Sequence, residues 1–225
     1  MRLLDLFCGA GGCSVGYHRA GFAEIVGVDL HPQPNYPFEF VRADALEYLR
    51  EHGREFDAVH ASPPCQRYTV GRHIHGSGDR HPDLVGPCRE GLDEVGVPWV
   101  MENVPGSPLN GAMLCGTMFG LSVRRHRVFD ASFMLFSPGC PCRHRVTDYG
   151  VYAGRVTRLG TRGVAYTASS GRTHYRPESA EKEHAAEAMG IDWMTLKELC
   201  QAIPPAYTEF VGRQLLDHVR SRQEG

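Results

Sequence analysis

At 225 residues, with 42% hydrophobic and 22% charged side chains, the chain has the makings of one large globular domain, or of one domain with a small appendage. A formal net charge of −2 excludes a global basic field, and no apolar run approaches the ~20 residues of a membrane span. The acidic residue at position 5 comes too early for a signal peptide, and eight cysteines in a chain this long do not make a disulfide scaffold. A cytoplasmic protein with reduced thiols and no membrane partner is expected. Charge is unevenly spread, however: residues 122–176 are rich in Arg and His, whereas 178–198 carry many Glu, so a local basic face is possible.

The chain opens on a short apolar strand, Arg2–Phe7, which runs into Cys8-Gly9-Ala10-Gly11-Gly12 and a helix over Cys13–Ala20. Strand, glycine turn and helix form a nucleotide-binding arrangement, because glycine lets the backbone approach a ligand closely. The spacing is neither a strict G-x-G-x-x-G nor a phosphate loop. A second strand, Glu24–Asp29, ends in an acid about 20 residues after the glycines, where a carboxylate accepts hydrogen bonds from ribose hydroxyls. Asp29 could equally cap the turn that follows it. A third strand, Phe38–Arg42, leads to Asp44, which can cap the helix Ala45–Glu51, accept from a purine amino group, or do both.

The strand Phe56–Ala61 then breaks into Ser62-Pro63-Pro64-Cys65-Gln66. Tandem prolines stiffen this loop and hold Cys65 at the rim of the sheet, where ligands of open α/β sheets sit. A thiol there is placed like a nucleophile, against the plainer reading of a small buried hydrophobe. Residues Arg67 to Pro82 are glycine-rich and basic, with little to bury, which suits a lid over a polyanion. A helix over Asp83–Val95 precedes the strand Val97–Met101, which ends at Glu102-Asn103-Val104-Pro105; a carboxylate there is a candidate acid. In Arg124-Arg125-His126-Arg127-Val128-Phe129, alternation puts Arg125 and Arg127 on one face of an extended segment, suited to phosphate or base contacts.

Residues 134–178 are Gly-, Arg-, Thr- and Tyr-rich and read as a small irregular insert with short strands such as Val164–Thr167. Cys140-Pro141-Cys142-Arg143-His144 contains metal-ligand types, but C-x-C-x-H lacks finger spacing and a second half, so no metal is assigned. Short helices over Glu181–Met189 and Thr195–Gln201 lead to Ile203-Pro204-Pro205 and an amphipathic closing helix, Ala206–Val219.

Together these stretches resemble the DNA cytosine-C5 methyltransferases, in the family's motif order and over most of the chain. Asp5-Leu6-Phe7-Cys8-Gly9-Ala10-Gly11-Gly12 is similar to the family's S-adenosylmethionine loop, Ser62-Pro63-Pro64-Cys65-Gln66 to its nucleophile loop, Glu102-Asn103-Val104 to its acid motif, and Arg125-His126-Arg127 to its Arg-x-Arg segment. The resemblance implies a Rossmann-like α/β S-adenosylmethionine-dependent methyltransferase fold, with a catalytic domain over 1–132 and 181–225 and a small target-recognition insert over 133–180. It implies that Phe7, Gly9, Gly11 and Gly12 flank S-adenosylmethionine, with Leu30, Pro64 and Gln201 beside it. Asp29 then holds the ribose and Asp44 the adenine amino group. Cys65 attacks C6 of a flipped-out cytosine in double-stranded DNA, Glu102 bonds N3, and Arg127 reaches the base. Arg125 faces a phosphate, while Gln66, Arg67 and Arg72 contact the DNA. A monomer is expected.

Three departures stand out. Leu30 replaces the aromatic residue that often follows the ribose-binding acid. Cys200-Gln201-Ala202-Ile203-Pro204-Pro205 stands where the family usually shows Gly-Asn-Ser/Ala-Val-Pro, and the recognition region is short. Two competing readings, a tRNA cytosine-C5 methyltransferase and a catalytically silent DNA-binding relative, share the same motifs. A silent protein need not retain Cys65, Glu102 and Arg127 together.

Overall fold

The structure, a computed structural model, describes residues 1–68, 82–140, 148–152, 155–158, 164–167, 173–176 and 181–224. Its centre is the strand β1 (Arg2–Leu6), buried from Leu3 onward. β1 pairs in parallel with β2 (Glu24–Asp29) on one side and with β4 (Ala58–Ala61) on the other, so Leu4 has Val26 and Val59 as neighbours. Strands covered on both faces need apolar residues at consecutive positions, which is how these strands read.

Seven strands run in the order β3-β2-β1-β4-β5-β7-β6, with β3 at Glu39–Arg42, β5 at Trp99–Asn103, β6 at Ala112–Leu114 and β7 at Arg127–Ala131. Only β7 opposes the rest, pairing antiparallel with β5 and β6. Strand order reverses between β1 and β4, and the crevice outside the carboxyl ends at such a switch point is where open α/β sheets bind ligands.

Adjacent side chains on β1 leave by opposite faces and enter different cores. Leu3 joins Tyr17, Ile25, Phe129, Tyr207 and Leu215 beneath α1 (Gly12–Ala20) and α6 (Pro205–Gln223). Leu4 joins Val26, Leu49, Val59, Leu92 and Met101 beneath α2 (Ala45–His52) and α3 (Val85–Val95). The helices α1 and α6 meet closely at Gly16, where a Cβ would lie 2.0 Å from Thr208 Oγ1 and 2.2 Å from the Pro205 carbonyl oxygen. Thr208 Oγ1 also donates to the Cys13 carbonyl at 2.9 Å, so α6 is pinned to the helix that follows the glycine turn.

Beyond the sheet, β8 (Tyr149–Tyr152) and β9 (Arg155–Arg158) form an antiparallel pair, as do β10 (Val164–Thr167) and β11 (Thr173–Arg176). Val151 and Val156 share a core with Ala185 and Met189 of α4 (Lys182–Met189) and Leu199 of α5 (Leu196–Gln201). That core reaches Ala10 in the glycine turn.

Several element boundaries shift from the sequence expectation, among them the carboxyl ends of β5 and of the closing helix. β5 continues through Glu102 and Asn103 because both pair with β7, opposite Phe129 and Val128. The closing helix runs to Gln223, not Val219, its polar last turn being solvent-covered.

Candidate active site

β4 ends at Ala61, and the Ser62 N–H donates to the Leu6 carbonyl at 3.2 Å before the prolines end the ladder. The buried amide of Asn103 then holds the loop: its Nδ2 donates to the Pro63 carbonyl at 2.9 Å, and its Oδ1 accepts from Val104 N at 2.9 Å. The strand that carries Glu102 thus fixes the loop that carries Cys65. Cys65 is half-buried. Burial pushes its thiol up, the Arg127 and Arg125 guanidinium groups pull it down, and the Glu102 carboxyl adds to the rise.

Glu102 and Arg127 are both buried, and Arg127 Nε stands 3.0 Å from Glu102 Oε1. The ion pair is close but not aligned as a hydrogen bond: Glu102 Oε1 is left without a hydrogen-bond donor. Burial pushes the Glu102 carboxyl up against the opposing pull of Arg127, of a Ser62 hydrogen bond and of Arg125. The net shift of the carboxyl is upward, and Oε1 meets Arg127 as an ion pair without a hydrogen bond in the core of the site. Arg127 Nη1 donates to the His126 carbonyl at 2.8 Å, which steadies the guanidinium.

Arg125 does not occupy the place expected of it. It was expected to face a phosphate beside Arg127; it is instead 0% exposed and can touch no DNA in this arrangement. Its Nη1 donates to the Val151 carbonyl and its Nη2 to the Cys200 carbonyl, both at 2.7 Å, and its guanidinium lies over the Tyr152 ring. Burial lowers its pKa to about 10, which leaves it charged at neutral pH. The physical reason is that residues 124–126 precede β7 and do not form a solvated strand edge. Arg125 joins β8 and α5 to the segment that carries Arg127.

At the other end of the crevice the chain turns sharply. Phe7 has φ +59°, the one non-glycine residue with positive φ among the described residues, and Gly9 has φ +49°. A Cβ on Gly9 would meet nothing within 4 Å, so the turn opens onto free space there. Asp29 caps the turn that follows it, its Oδ1 accepting from His31 N at 2.9 Å, while its Oδ2 accepts from Gly9 N at 3.1 Å. Leu30 beside it is 59% exposed. Asp44 caps α2, with Oδ1 accepting from Leu46 N and Glu47 N at 2.9 and 3.0 Å. The Ile203 backbone lies against Gly12, and Gln201 is exposed at the end of α5.

Of the residues expected on DNA, Gln66 is exposed just past Cys65, and Arg67 pairs with Asp83 at 3.8 Å. Arg72, most of the expected lid, and Cys142 and His144 lie outside the described residues. Cys140 is described, with its Sγ 3.4 Å from His126 Nε2.

Two polar networks were not read from sequence. Beneath the glycine turn, Asp5 is fully buried and bonded to Ser14, whose hydroxyl also meets the Tyr36 hydroxyl at 2.8 Å. Behind the Cys65 loop, the Tyr17 hydroxyl meets His60 Nδ1 at 2.9 Å, and His60 Nε2 meets Ser62 Oγ at 2.9 Å. Ser62 is the residue that bonds Glu102, so a buried polar chain runs from α1 to the candidate acid. A histidine inside Ala58-Val59-His60-Ala61 was the available signal, since an apolar strand seldom spends a buried position on imidazole. Trp193 Nε1 also donates to the Ala10 carbonyl at 2.9 Å, bracing the turn.

The sheet order, the glycine turn and the acid at the end of β2 define a Rossmann-like S-adenosylmethionine-dependent methyltransferase fold. Two solved structures match it over nearly their whole lengths. One is a protein encoded within an E. coli prophage and assigned as a DNA modification methyltransferase, with a TM-score of 0.62 and 15% identity, covering 98% of this chain and 99% of that one. The other is the Dnmt2 methyltransferase of S. pombe, with a TM-score of 0.62 and 12% identity, covering 97% and 99%.

Sequence carries the assignment further. Residues 1–107 match the family model of the C-5 cytosine-specific DNA methylases. The type II methyltransferase M.FnuDI of Fusobacterium nucleatum is 33% identical over 85 residues, covering 35% of this chain and 25% of that protein. M.AquIA of Picosynechococcus sp. is 32% identical over 124 residues, covering 47% of this chain and 49% of that protein. The chain thus spans between a quarter and about half the length of these relatives.

Proposed function

We propose that the protein methylates C5 of cytosine in double-stranded DNA, using S-adenosylmethionine and a covalent bond between Cys65 and C6 of a flipped-out base. One observation carries this reading. Asn103 ties the Cys65 loop to the strand of Glu102, and Arg127 acts on both groups at once. A nucleophile, an acid and a cation thereby converge at the carboxyl rim of one sheet, in a chain whose first 107 residues match the C-5 cytosine-specific DNA methylases.

The residues around the first turn fit the cofactor. Free space over Gly9, the bend at Phe7 and the Asp29 carboxylate at the end of β2 supply a cradle and a ribose acceptor. Leu30 offers an exposed apolar surface for the adenine, and the Asp44 carboxylate has one oxygen beyond those that cap α2. When bound, S-adenosylmethionine supplies an electrophilic methyl group.

The chain's own residues make the base reactive. C5 of cytosine is a poor nucleophile, and addition of the Cys65 thiolate at C6 shifts the C5–C6 electron pair onto C5. A protonated Glu102 donates to N3 and offsets the charge that develops on the ring. Arg127 favours the Cys65 thiolate and restrains Glu102. Loss of the C5 proton after transfer lets the sulfur leave and restores Cys65. The target carbon is stacked within a duplex, so extrusion of the base is required, at about a few kcal/mol. Residues 133–180 serve as the target-recognition insert on the catalytic domain of 1–132 and 181–225, and Gln66, Arg67 and Arg72 close on the DNA. The working unit is a monomer in the cytoplasm.

Labelled-methyl incorporation into duplex DNA and into tRNA, side by side with Cys65→Ser, tests the proposal. Incorporation into duplex DNA that Cys65→Ser abolishes is the expected result. Preferential labelling of tRNA, or turnover by Cys65→Ser, overturns it. A duplex carrying 5-fluorocytosine should also give a denaturation-resistant adduct with the wild-type protein and none with Cys65→Ser.

A further inference from the structure

We propose that Cys115, His126 and Cys140 bind one zinc ion that holds the segment bearing Arg127 in place. The three residues come from separate parts of the sequence. Cys115 follows β6, His126 immediately precedes β7, and Cys140 lies in the chain that leaves β7. Yet the two sulfur atoms and one imidazole nitrogen all lie within 4.8 Å of one another. No local motif places them there; the antiparallel pairing of β6 with β7 does, by setting Leu114 opposite Arg127.

The spacing suits a tetrahedral ion. Zinc–sulfur bonds of about 2.3 Å and zinc–nitrogen bonds of about 2.0 Å require sulfur and nitrogen ligands to stand roughly 3.6 Å apart. Cys140 Sγ and His126 Nε2 are 3.4 Å apart. A set of two thiolates and an imidazole favours zinc over magnesium or calcium, which take oxygen. A ligand beyond these three completes the tetrahedron. Support around the site is present as well: Thr117 Oγ1 donates to Cys115 Sγ at 3.6 Å, which favours the thiolate that a metal needs. Burial as a small hydrophobe accounts for Cys115, which is 0% exposed, but not for the half-buried Cys140 and His126 aimed at it.

A metal here has a consequence for the catalytic residues. The His126 carbonyl accepts the Arg127 Nη1 hydrogen bond, so fixing the His126 ring fixes the peptide that orients the guanidinium. The ion would link the turn after β6, the entry to β7 and its exit into one rigid unit.

The test is metal content of the full chain purified from zinc-supplemented cells, by inductively coupled plasma mass spectrometry, followed by cobalt titration of the chelator-stripped protein. About one zinc per chain is expected, with a cobalt spectrum showing thiolate charge transfer and intense tetrahedral bands. Cys140→Ser and His126→Asn should lower zinc content at least fivefold, while Cys200→Ser leaves it unchanged. Cys115 is fully buried and its substitution endangers folding, so the two half-buried ligands carry the test, with far-UV circular dichroism reporting that they fold. Wild-type protein without zinc and without a tetrahedral cobalt spectrum overturns the proposal. So does unchanged zinc content in Cys140→Ser, or a Cys115–Cys140 disulfide found by mass spectrometry of the unreduced protein.

Discussion

Arg127 Nε lies 3.0 Å from Glu102 Oε1, yet burial still pushes the Glu102 carboxyl upward. The cation therefore opposes the rise of Glu102 without cancelling it, and the same cation lowers the Cys65 thiol. Arg127→Gln removes both effects. The onset of Cys65 alkylation by iodoacetamide should move to higher pH, read against a Cys65→Ser background that accounts for the other thiols. Methyl transfer should fall by about 10²-fold or more, the usual worth of a positioned catalytic group. Glu102→Gln, which imitates the protonated acid, should instead abolish the dependence on Glu102 ionisation. Its activity, though reduced, should keep rising with pH as Cys65 ionises, where the wild type turns over and declines. An alkylation profile unmoved by Arg127→Gln would refute the coupling.

Two buried groups give stability an unusual pH dependence, and the signs are opposite. Burial raises Asp5 from 3.8 to about 7, with Asp29 adding to the rise and Ser14 opposing it. Between these values the folded state holds a proton that the unfolded state has lost, so stability falls as pH rises. Burial lowers His60 from 6.5 to about 3. Between those values the unfolded state holds the extra proton, so stability falls as pH falls. Each gap corresponds to about 4 to 5 kcal/mol over its full span. From about pH 4 to pH 6.5 the two slopes oppose each other. Asp5→Asn should leave stability rising steeply with pH across that window, and His60→Gln should leave it falling. Urea denaturation between pH 4 and pH 8 reads both; variants with the wild-type slope would sink this account.

Much of this architecture was legible in the chain because it rests on neighbours in sequence. The glycine turn, Asp29, the Pro63-Pro64-Cys65 break and Glu102 each announce themselves by residue type at a strand end. What escaped depends on partners far along the chain. Arg125 reads as a surface cation until its acceptors, Val151 and Cys200, are known, and these lie 26 and 75 residues away. The meeting of Cys115, His126 and Cys140 is invisible for the same reason, since Cys140-Pro141-Cys142 draws the eye to a local motif instead. Periodicity locates an element; it does not say which of its polar residues folding will enclose.

The burial of Arg125 makes a prediction that separates a clamp from a phosphate contact. Arg125→Ala leaves the Val151 and Cys200 carbonyls without their donor, and it should lower stability by on the order of 3 kcal/mol. A phosphate-binding arginine would instead reduce the salt dependence of DNA affinity by about one unit of slope. The slope, measured by fluorescence anisotropy across a salt series at a temperature where the variant is folded, should match the wild type. A reduced slope with unchanged stability would return Arg125 to the DNA.

Gly16 tests whether the contact between α1 and α6 supports the crevice. A methyl group there meets Thr208 Oγ1 and the Pro205 carbonyl at about half of a normal contact distance, and one of these is backbone that cannot rotate away. Gly16→Ala should gain a few tenths of a kcal/mol to 1 kcal/mol in intrinsic helix propensity and lose more to overpacking, at about 1–3 kcal/mol or above. The net effect is a lower denaturation midpoint, despite alanine being the better helix former. Because Thr208 also bonds the Cys13 carbonyl, displacement of α6 should reach the glycine turn and weaken S-adenosylmethionine binding. Isothermal calorimetry on the folded variant reads that second effect. A variant of wild-type stability and cofactor affinity would show that the two helices are free to move apart without disturbing the turn.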